Sequence, residues 1–385
     1  MKKPCFLCQI FVLLFPGLAL ATPSISGLSG TVTLGTFVTI SGSSFGTKSP
    51  AAPAVWDNGL LYTGFTNGQC IPTPSENTTC PGTNPYGWIG EGSSHAVYFN
   101  NVNTRGVWSN HYSNVNATKS NSVAQEIDMD GLVVTGVSTT KQMYVTWWIY
   151  TWLSASTQGS VQNTQNKWCR MLSGSGLTWG DSGQGTVIWA PWPLVDAYDF
   201  SSGDFGVVSY SAPGVPATTW SRQEMLFDST GAANSSPAVT VGVNGVYDSY
   251  TPNWSGAGIS APGWVINTIA GLGADFDNGN TPTFVEPEVE WGEIYADNTF
   301  SRVEVCSGST WAARSHCEIQ IPSAWSATSA TVTVNQGSFS SGASAYLYVV
   351  DSTNTANSSG YPVTFGSGGG GSAPPMPSEP FLLSN

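Results

Sequence analysis

The chain has 385 residues, of which 9% are charged and 12% aromatic, and its 24 acidic and 11 basic side chains give a formal charge of −13. Helical bundles and coiled coils need charged helix surfaces, and disordered chains lack aromatic residues to bury, so both classes are excluded. An acidic chain without a basic run repels phosphate backbones, so we expect no nucleic-acid partner.

The first 21 residues have the features of a secretory signal peptide. Lys2 and Lys3 form a basic start, residues 10–15 are apolar, and Ala19-Leu20-Ala21 is a small-x-small cleavage site. No later run approaches the length of about 18 apolar residues that a membrane helix needs, so no membrane insertion is predicted. We therefore expect a secreted or cell-surface protein, cleaved near Ala21.

The rest of the chain consists of short runs of alternating polarity bounded by Gly, Pro, Asn and Ser, a pattern typical of β-strands. We find no helical period of useful length, so the predicted fold class is all-β. The clearest predicted strands, in chain order, are Val32–Ser41, Gln142–Trp152, Thr186–Trp189, Thr219–Phe227, Ala238–Val243, Val289–Tyr295, Arg302–Cys306, Ala330–Asn335 and Ala345–Val350.

The two ends of the mature chain share one family resemblance. Pro23–Lys48 contains the run VTISGSSFG and resembles the first two strands of an IPT/TIG immunoglobulin-like domain, whose later strands resemble Ser301–Gly366. The resemblance implies one small sandwich interrupted by a long insert, which is tolerated because loop-closure cost grows slowly with length. The predicted domains are residues 22–56 with 299–366, the insert 57–298, and a flexible Gly/Pro-rich tail, 367–385.

The insert resembles the concanavalin/laminin-G-like jelly rolls of lectins and several polysaccharide lyases. Thr219–Thr230 (TWSRQEMLFDST) and Val239–Asp248 (VTVGVNGVYD) match their Trp-x-Arg strand and the hairpin that follows, and Glu288–Thr299 resembles their closing strand. The resemblance implies a jelly-roll sandwich beside the smaller immunoglobulin-like one. Two unrelated sandwiches in tandem are the alternative.

Candidate catalytic residues are few. Glu126 and Asp130 flank Asp128 on one strand face and resemble the Glu-x-Asp-x-Glu signature of laminarinase-type hydrolases, which use paired carboxylates. Exposed acids on an acidic protein are the alternative. His111 and Tyr150 are the candidate proton-transfer groups of a lyase that acts on uronic acids.

The most informative segment is the predicted strand at 143–152. Alternation places an apolar set, from Met143 to Ile149, on one face and a set of large aromatic residues on the other. Either a second layer covers the aromatic face, or it is an uncovered platform for sugar rings. The members proposed to contact ligand are Tyr144, Trp148, Tyr150 and Trp152.

The few cations of the neighbouring predicted strands can be assigned to this aromatic face. Phasing the neighbouring strands places Arg170, Arg222 and Glu224 on the same side, with Lys167 at a strand end where it can bend out. Cations beside aromatic rings would suit an acidic polysaccharide. The alternative for Arg222 and Glu224 is a cross-strand surface pair of little energetic consequence.

Carboxylates and cysteines suggest structural elements. Asp275 and Asp277 lie in a polar loop, and Glu293 and Asp297 in the predicted closing strand, so these oxygens are candidate ligands for a structural Ca²⁺; a polar turn is the alternative. No cofactor is required.

Two short-range disulfides are expected in an exported protein. The cysteines that would form them are Cys70 with Cys80 and Cys306 with Cys317.

These features favour a secreted or cell-surface protein that recognises a polysaccharide through the aromatic and arginine-lined face. Two alternatives stay open. One is a polysaccharide lyase or glycoside hydrolase that uses the same face. The other is a structural adhesin whose aromatic face packs against another protein domain.

Overall fold

The computed structural model describes residues 21–57, 64–67, 69, 88–89, 98–100, 105, 111–114, 131–132, 134–140, 142–151, 169–173, 185–190, 194–199, 203–204, 208–209, 216, 218–228, 238–250, 266–270 and 289–366. The regular elements that these residues form are almost all β-strands, which confirms the predicted all-β class. Among them no helix is long and apolar enough to cross a membrane, and a single-turn 3-10 helix lies at Trp311–Ala313.

The strands, in chain order, are β1 (Ser24–Ser29), β2 (Phe37–Ser43), β3 (Val55–Asp57), β4 (Trp88–Ile89), β5 (Tyr98–Asn100), β6 (His111–Asn114), β7 (Gly131–Leu132), β8 (Val134–Thr140), β9 (Gln142–Thr151), β10 (Cys169–Ser173), β11 (Gly185–Ala190), β12 (Leu194–Asp199), β13 (Gly203–Asp204), β14 (Val208–Ser209), β15 (Ser221–Asp228), β16 (Ala238–Val243), β17 (Val246–Tyr250), β18 (Ile266–Ala270), β19 (Val289–Asp297), β20 (Arg302–Cys306), β21 (Cys317–Ser326), β22 (Ser329–Thr333), β23 (Ser344–Val350) and β24 (Tyr361–Thr364).

Strands distant in sequence form one antiparallel sheet, in the order β1-β2-β22-β21-β20-β23-β24. The pairing of β2 with β22 runs from Phe37 opposite Thr333 to Ser41 opposite Ser329, so it joins segments almost 300 residues apart. We call this unit the small sandwich. Its sheet bends around an apolar core that includes Val38, Ile40, Phe45, Val303, Val332, Leu347 and Phe365.

Strands from the middle of the chain form two further large sheets, which we call the large sandwich. One sheet has the order β17-β16-β15-β9-β19-β6-β5, with β3 also paired to β19, and the other has the order β13-β12-β11-β10-β18-β8, with β14 on β12. A separate two-stranded ribbon joins β4 to β7. Strand β9 lies inside the first sheet, between β15 and β19, so both of its edges are paired.

The apolar face of β9 is core, as its sequence predicts. Met143, Val145, Trp147 and Ile149 are fully buried. They share a face with Met225 and Phe227 of β15, since residues directly opposite each other in an antiparallel pair point the same way.

A tight hairpin connects β16 to β17. Asn244 and Gly245 form its two-residue turn, and both have positive φ, 50° and 81°. A turn of this type matches the twist of the flanking strands and favours Asn-Gly. The hairpin places Tyr247 opposite Gly242, where an added Cβ would lie 2.6 Å from the tyrosine ring, so the ring packs where a larger residue would clash.

Candidate functional site

The aromatic face of β9 is covered by the small sandwich, so the interpretation as an uncovered platform is wrong for its described inner part. Tyr144 is 0% exposed and Trp148 is 6% exposed. Opposite them on β15, Arg222 and Glu224 are 3% and 1% exposed. The alternative of a surface ion pair between Arg222 and Glu224 is therefore wrong as well. The small sandwich is the second layer that the alternative interpretation of the aromatic face expected.

Buried ion pairs join the two sandwiches, and we call this contact the seam. Arg222 Nη1 lies 3.0 Å from Glu304 Oε2, and Arg105 Nη1 lies 2.6 Å from Glu318 Oε1. Lys48 pairs with Asp297. Each pair joins a strand or loop of one sandwich to the other, so the scarce cations hold the two units together instead of facing solvent.

Arg302 extends the seam from the small sandwich. Its Nε lies 2.6 Å from Glu304 Oε1, and its guanidinium lies 4.2 Å from the centre of the Tyr144 ring. Tyr144 in turn donates a hydrogen bond of 2.7 Å to Glu224 Oε1. The Arg302 guanidinium and the Tyr144 hydroxyl thus both have partners within the seam, as buried polar groups usually do.

The electrostatics of the seam follow from burial and from the partners of each acid. Burial would raise the pKa of Glu304, but Arg222 and Arg302 outweigh it and hold the pKa well below its usual range. Arg105 and His316 do the same for Glu318. Burial dominates at Asp297 and raises its pKa to about 6, although Lys48 opposes the shift.

Two predicted calcium ligands lie in the seam and are corrected here. Glu293 pairs with Arg105 and accepts a hydrogen bond of 3.1 Å from Asn335. Asp297 pairs with Lys48 and accepts a hydrogen bond of 2.8 Å from Tyr295. Both carboxylates are neutralised by protein cations, which leaves them poor ligands for a metal ion. Asp275 and Asp277 lie outside the described residues.

Within the described part of the chain, the seam opens to solvent in a small cleft, which we call the seam cleft. Its cavity volume is about 10 Å³, close to the room that one water molecule needs. One wall is the β16–β17 hairpin and the other is the segment that leads into β21. The lining residues are Trp148, Arg222, Glu224, Asn244, Gly245, Tyr247, Arg314, Ser315, His316 and Cys317.

Tyr247 forms the hairpin wall. Its hydroxyl donates a hydrogen bond of 2.5 Å to Glu224 Oε2, which anchors the ring beside the cleft. Burial and the nearby Glu224 carboxylate raise the pKa of Tyr247 far above its usual value. The phenol is therefore protonated at neutral pH and acts as a hydrogen-bond donor.

The opposite wall is a loop closed by a disulfide. Cys306 and Cys317 are cross-strand partners joined by an S–S bond of 2.04 Å, which confirms this predicted disulfide. Cys70 and Cys80 lie outside the described residues. Within the loop, the Arg314 guanidinium lies 3.5 Å from the centre of the Trp311 ring and 5.1 Å from that of Tyr247.

His316 lies at the mouth of the cleft, with its side chain 30% exposed. Its Nε2 lies 2.9 Å from Glu318 Oε1 and 3.2 Å from Ser338 Oγ. The ring contacts Trp148 and Phe339, with centroid distances of 5.6 and 4.6 Å. A buried carboxylate thus orients a half-exposed imidazole, an arrangement that can hold or transfer a proton.

The remaining predicted site residues are not brought to this cleft within the described chain. Tyr150 is half-buried and packs against Trp220, with ring centroids 5.7 Å apart. His111 lies in β6 and Arg170 in β10, but only their backbones are described. Trp152, Lys167, Glu126 and Asp130 lie outside the described residues.

The cleft residues that sequence reasoning missed are Tyr247, Asn244, Arg314 and His316. The Asn-Gly turn and the pair of cysteines around the loop were visible signals, but each was interpreted only as local structure. The hairpin and the disulfide loop line the same cleft only because the two sandwiches contact each other, and neither local pattern predicts that contact.

No family model and no curated protein sequence matches the chain. Among solved structures, alginate lyase Aly36B is 13% identical, with a TM-score of 0.36 over 64% of this chain and 98% of that one. The marine PL-14 alginate lyase from Aplysia kurodai is 8% identical, with a TM-score of 0.28 over 55% and 86%. The botulinum neurotoxin type G receptor binding domain is 10% identical, with a TM-score of 0.27 over 74% and 72%. TM-scores this low carry no argument about function, so only the residues of this chain bear on what it does.

Proposed function

We propose that this protein is a secreted or cell-surface protein that recognises a polysaccharide without cleaving it, and that the contact is made at the seam cleft. The observation that carries the proposal is the convergence of Tyr247, Arg314 and His316 on one opening. Aromatic faces pack against the C–H groups of sugars, while amide, imidazole and guanidinium groups bond their oxygens.

The size of the cleft determines how a glycan would lie. A volume of about 10 Å³ takes a single hydroxyl or acidic group, and a whole sugar ring is too large for it. The chain would therefore lie across the rim and insert one substituent, displacing water. Asn244 stands at the hairpin end of that rim, and His316 stands at the other.

A polysaccharide lyase is the second candidate, and one observation favours it. The His316 imidazole is half-exposed at the cleft and is oriented by Glu318, which Arg105 holds in place. A histidine so placed can accept a proton from a sugar ring carbon. The C–H electron pair would then form a ring double bond as the glycosidic bond breaks, and the protonated imidazole would return its proton to the leaving oxygen of the next sugar.

Affinity electrophoresis in gels that contain each of a panel of polysaccharides tests the binding proposal. We expect retardation of the wild type and its loss in Tyr247→Ala. The matched control is Phe37→Ala, which removes an aromatic side chain that is 54% exposed on the small sandwich, outside the cleft. Equal retardation of all three proteins, or none for any glycan, would refute the proposal.

The same panel separates binding from cleavage. A binder leaves the glycan intact. A lyase raises the ultraviolet absorbance of unsaturated uronates, and a hydrolase releases reducing ends without that absorbance. If His316→Ala abolishes such a signal while the protein still melts cooperatively, the lyase alternative replaces the binding proposal.

A further inference from the structure

One cation of the seam cleft forms no direct ion pair within the described residues. Among cations whose side chains the structure describes, Lys48, Arg105, Arg222 and Arg302 each pair with a buried carboxylate. Arg314 forms no ion pair with any described residue, although the chain has more than twice as many acids as bases. Its guanidinium is therefore available to an anion that enters the cleft.

The described carboxylates near Arg314 bind other groups directly. The two oxygens of Glu304 bind Arg302 and Arg222, and Arg314 acts on that carboxylate only through space. The two oxygens of Glu224 accept hydrogen bonds from Tyr144 and Tyr247. Within the described residues, Arg314 therefore has room for a further anion.

The geometry of Arg314 suits such an anion. One face of the guanidinium lies against Trp311, which fixes the plane of the group. Nη1 donates to the carbonyl of Trp311, but Nε is buried and has no hydrogen-bond partner among the described residues. A planar guanidinium with an unused N–H donor is preorganised for the oxygens of a carboxylate or sulfate.

We infer that the seam cleft takes an anionic substituent of the glycan, a carboxylate or a sulfate, and that Arg314 binds it. The inference rests on the proposed function, since it names the group that a bound glycan would insert. An anionic oxygen would enter the cleft, accept a hydrogen bond from Arg314 and lie within reach of Asn244 and His316, which line the same cleft.

The test compares matched glycans in affinity gels. Polygalacturonate is compared with its fully methyl-esterified form, and a sulfated galactan with its desulfated form, so the two pairs separate carboxylate from sulfate. We expect the wild type to prefer one acidic member, and Arg314→Gln to weaken that binding by about tenfold or more, the size of a lost charge-assisted contact. Arg314→Lys keeps the charge but loses the planar guanidinium, so its affinity for the acidic glycan should lie between those of the wild type and Arg314→Gln.

The results separate this inference from the proposed function. Equal retention of the acidic and neutral members by the wild type, or unchanged acidic retention in Arg314→Gln, overturns the anion site while glycan binding survives. Loss of neutral and acidic binding together in a variant with an unchanged melting temperature also overturns it, because Arg314 then contributes stacking and not charge recognition. If the wild type retains none of the glycans, the proposed function fails and the inference falls with it.

Discussion

Glu304→Gln tests whether the seam makes the two sandwiches one cooperative unit. The Glu304 carboxylate is fully buried and binds Arg222 of the large sandwich and Arg302 of the small one. A glutamine has nearly the same shape, but it carries no charge and turns an N–H donor towards one of the two guanidinium groups. The substitution therefore leaves two buried cations facing a neutral side chain.

The expected cost is large. Removing one partner of a buried ion pair destabilises a protein by about 3–5 kcal/mol, because the remaining charge stays desolvated without compensation. For a protein of this size that loss corresponds to a fall in Tm of roughly 5 °C. Because Glu304 contacts both units, we expect the two sandwiches to unfold together, in one transition shifted to lower denaturant concentration.

Urea unfolding followed by tryptophan fluorescence and by circular dichroism measures both quantities. The matched control is Asp248→Asn, which changes an acid to its amide at a half-exposed position where the carboxylate accepts a local hydrogen bond from Ser249. We expect the control to stay within about 0.5 kcal/mol of the wild type. A Glu304→Gln protein as stable as that control, or two separate transitions in the wild type, would refute the reasoning.

Three further predictions concern the same region. Gly337→Ala should destabilise the protein by about 1–3 kcal/mol in urea unfolding, because the φ of Gly337 is +53° and the new Cβ would lie 1.9 Å from the Glu318 carboxyl carbon. Gly46→Ala is the control, since Gly46 has a φ of +72° and open space around it, so this variant measures the backbone cost alone. An equal loss of stability in both variants would contradict the steric argument. Replacing Cys306 and Cys317 by alanine should cost about 2–4 kcal/mol and weaken glycan retention, since the disulfide closes the loop that carries Arg314; unchanged Tm and retention would count against that role. Burial raises the pKa of Asp297 from 3.8 to about 6, so the stability its protonated form contributes is complete below pH 3.8 and is lost as pH rises through about 6. Unfolding free energies measured from about pH 4 to pH 7 should decline more steeply in the wild type than in Asp297→Asn, which keeps only the decline due to Glu293, whose pKa burial raises to about 7; parallel profiles would argue against it.

Local patterns in the sequence determined the secondary structure and one disulfide. Alternation identified β9 and showed that Met143, Val145, Trp147 and Ile149 form a core face, because side chains of a strand point to opposite sides whatever surrounds it. The resemblance of Val239–Asp248 to a jelly-roll hairpin predicted the β16–β17 hairpin, and its Asn-Gly turn has the positive φ values that only a few residues adopt at low cost. Cys306 and Cys317 flank a short loop, so their pairing was local as well.

The tertiary structure alone decided what covers the second face of β9. The alternation of Tyr144 and Trp148 with apolar residues is the same whether water, a sugar or another sheet lies above them. Arg222 shared that ambiguity, because its partner Glu304 is 82 residues away and belongs to the other sandwich. Burial of a charge depends on a partner that only the assembled chain supplies, and the seam and its cleft arise from contacts between segments that are distant in sequence.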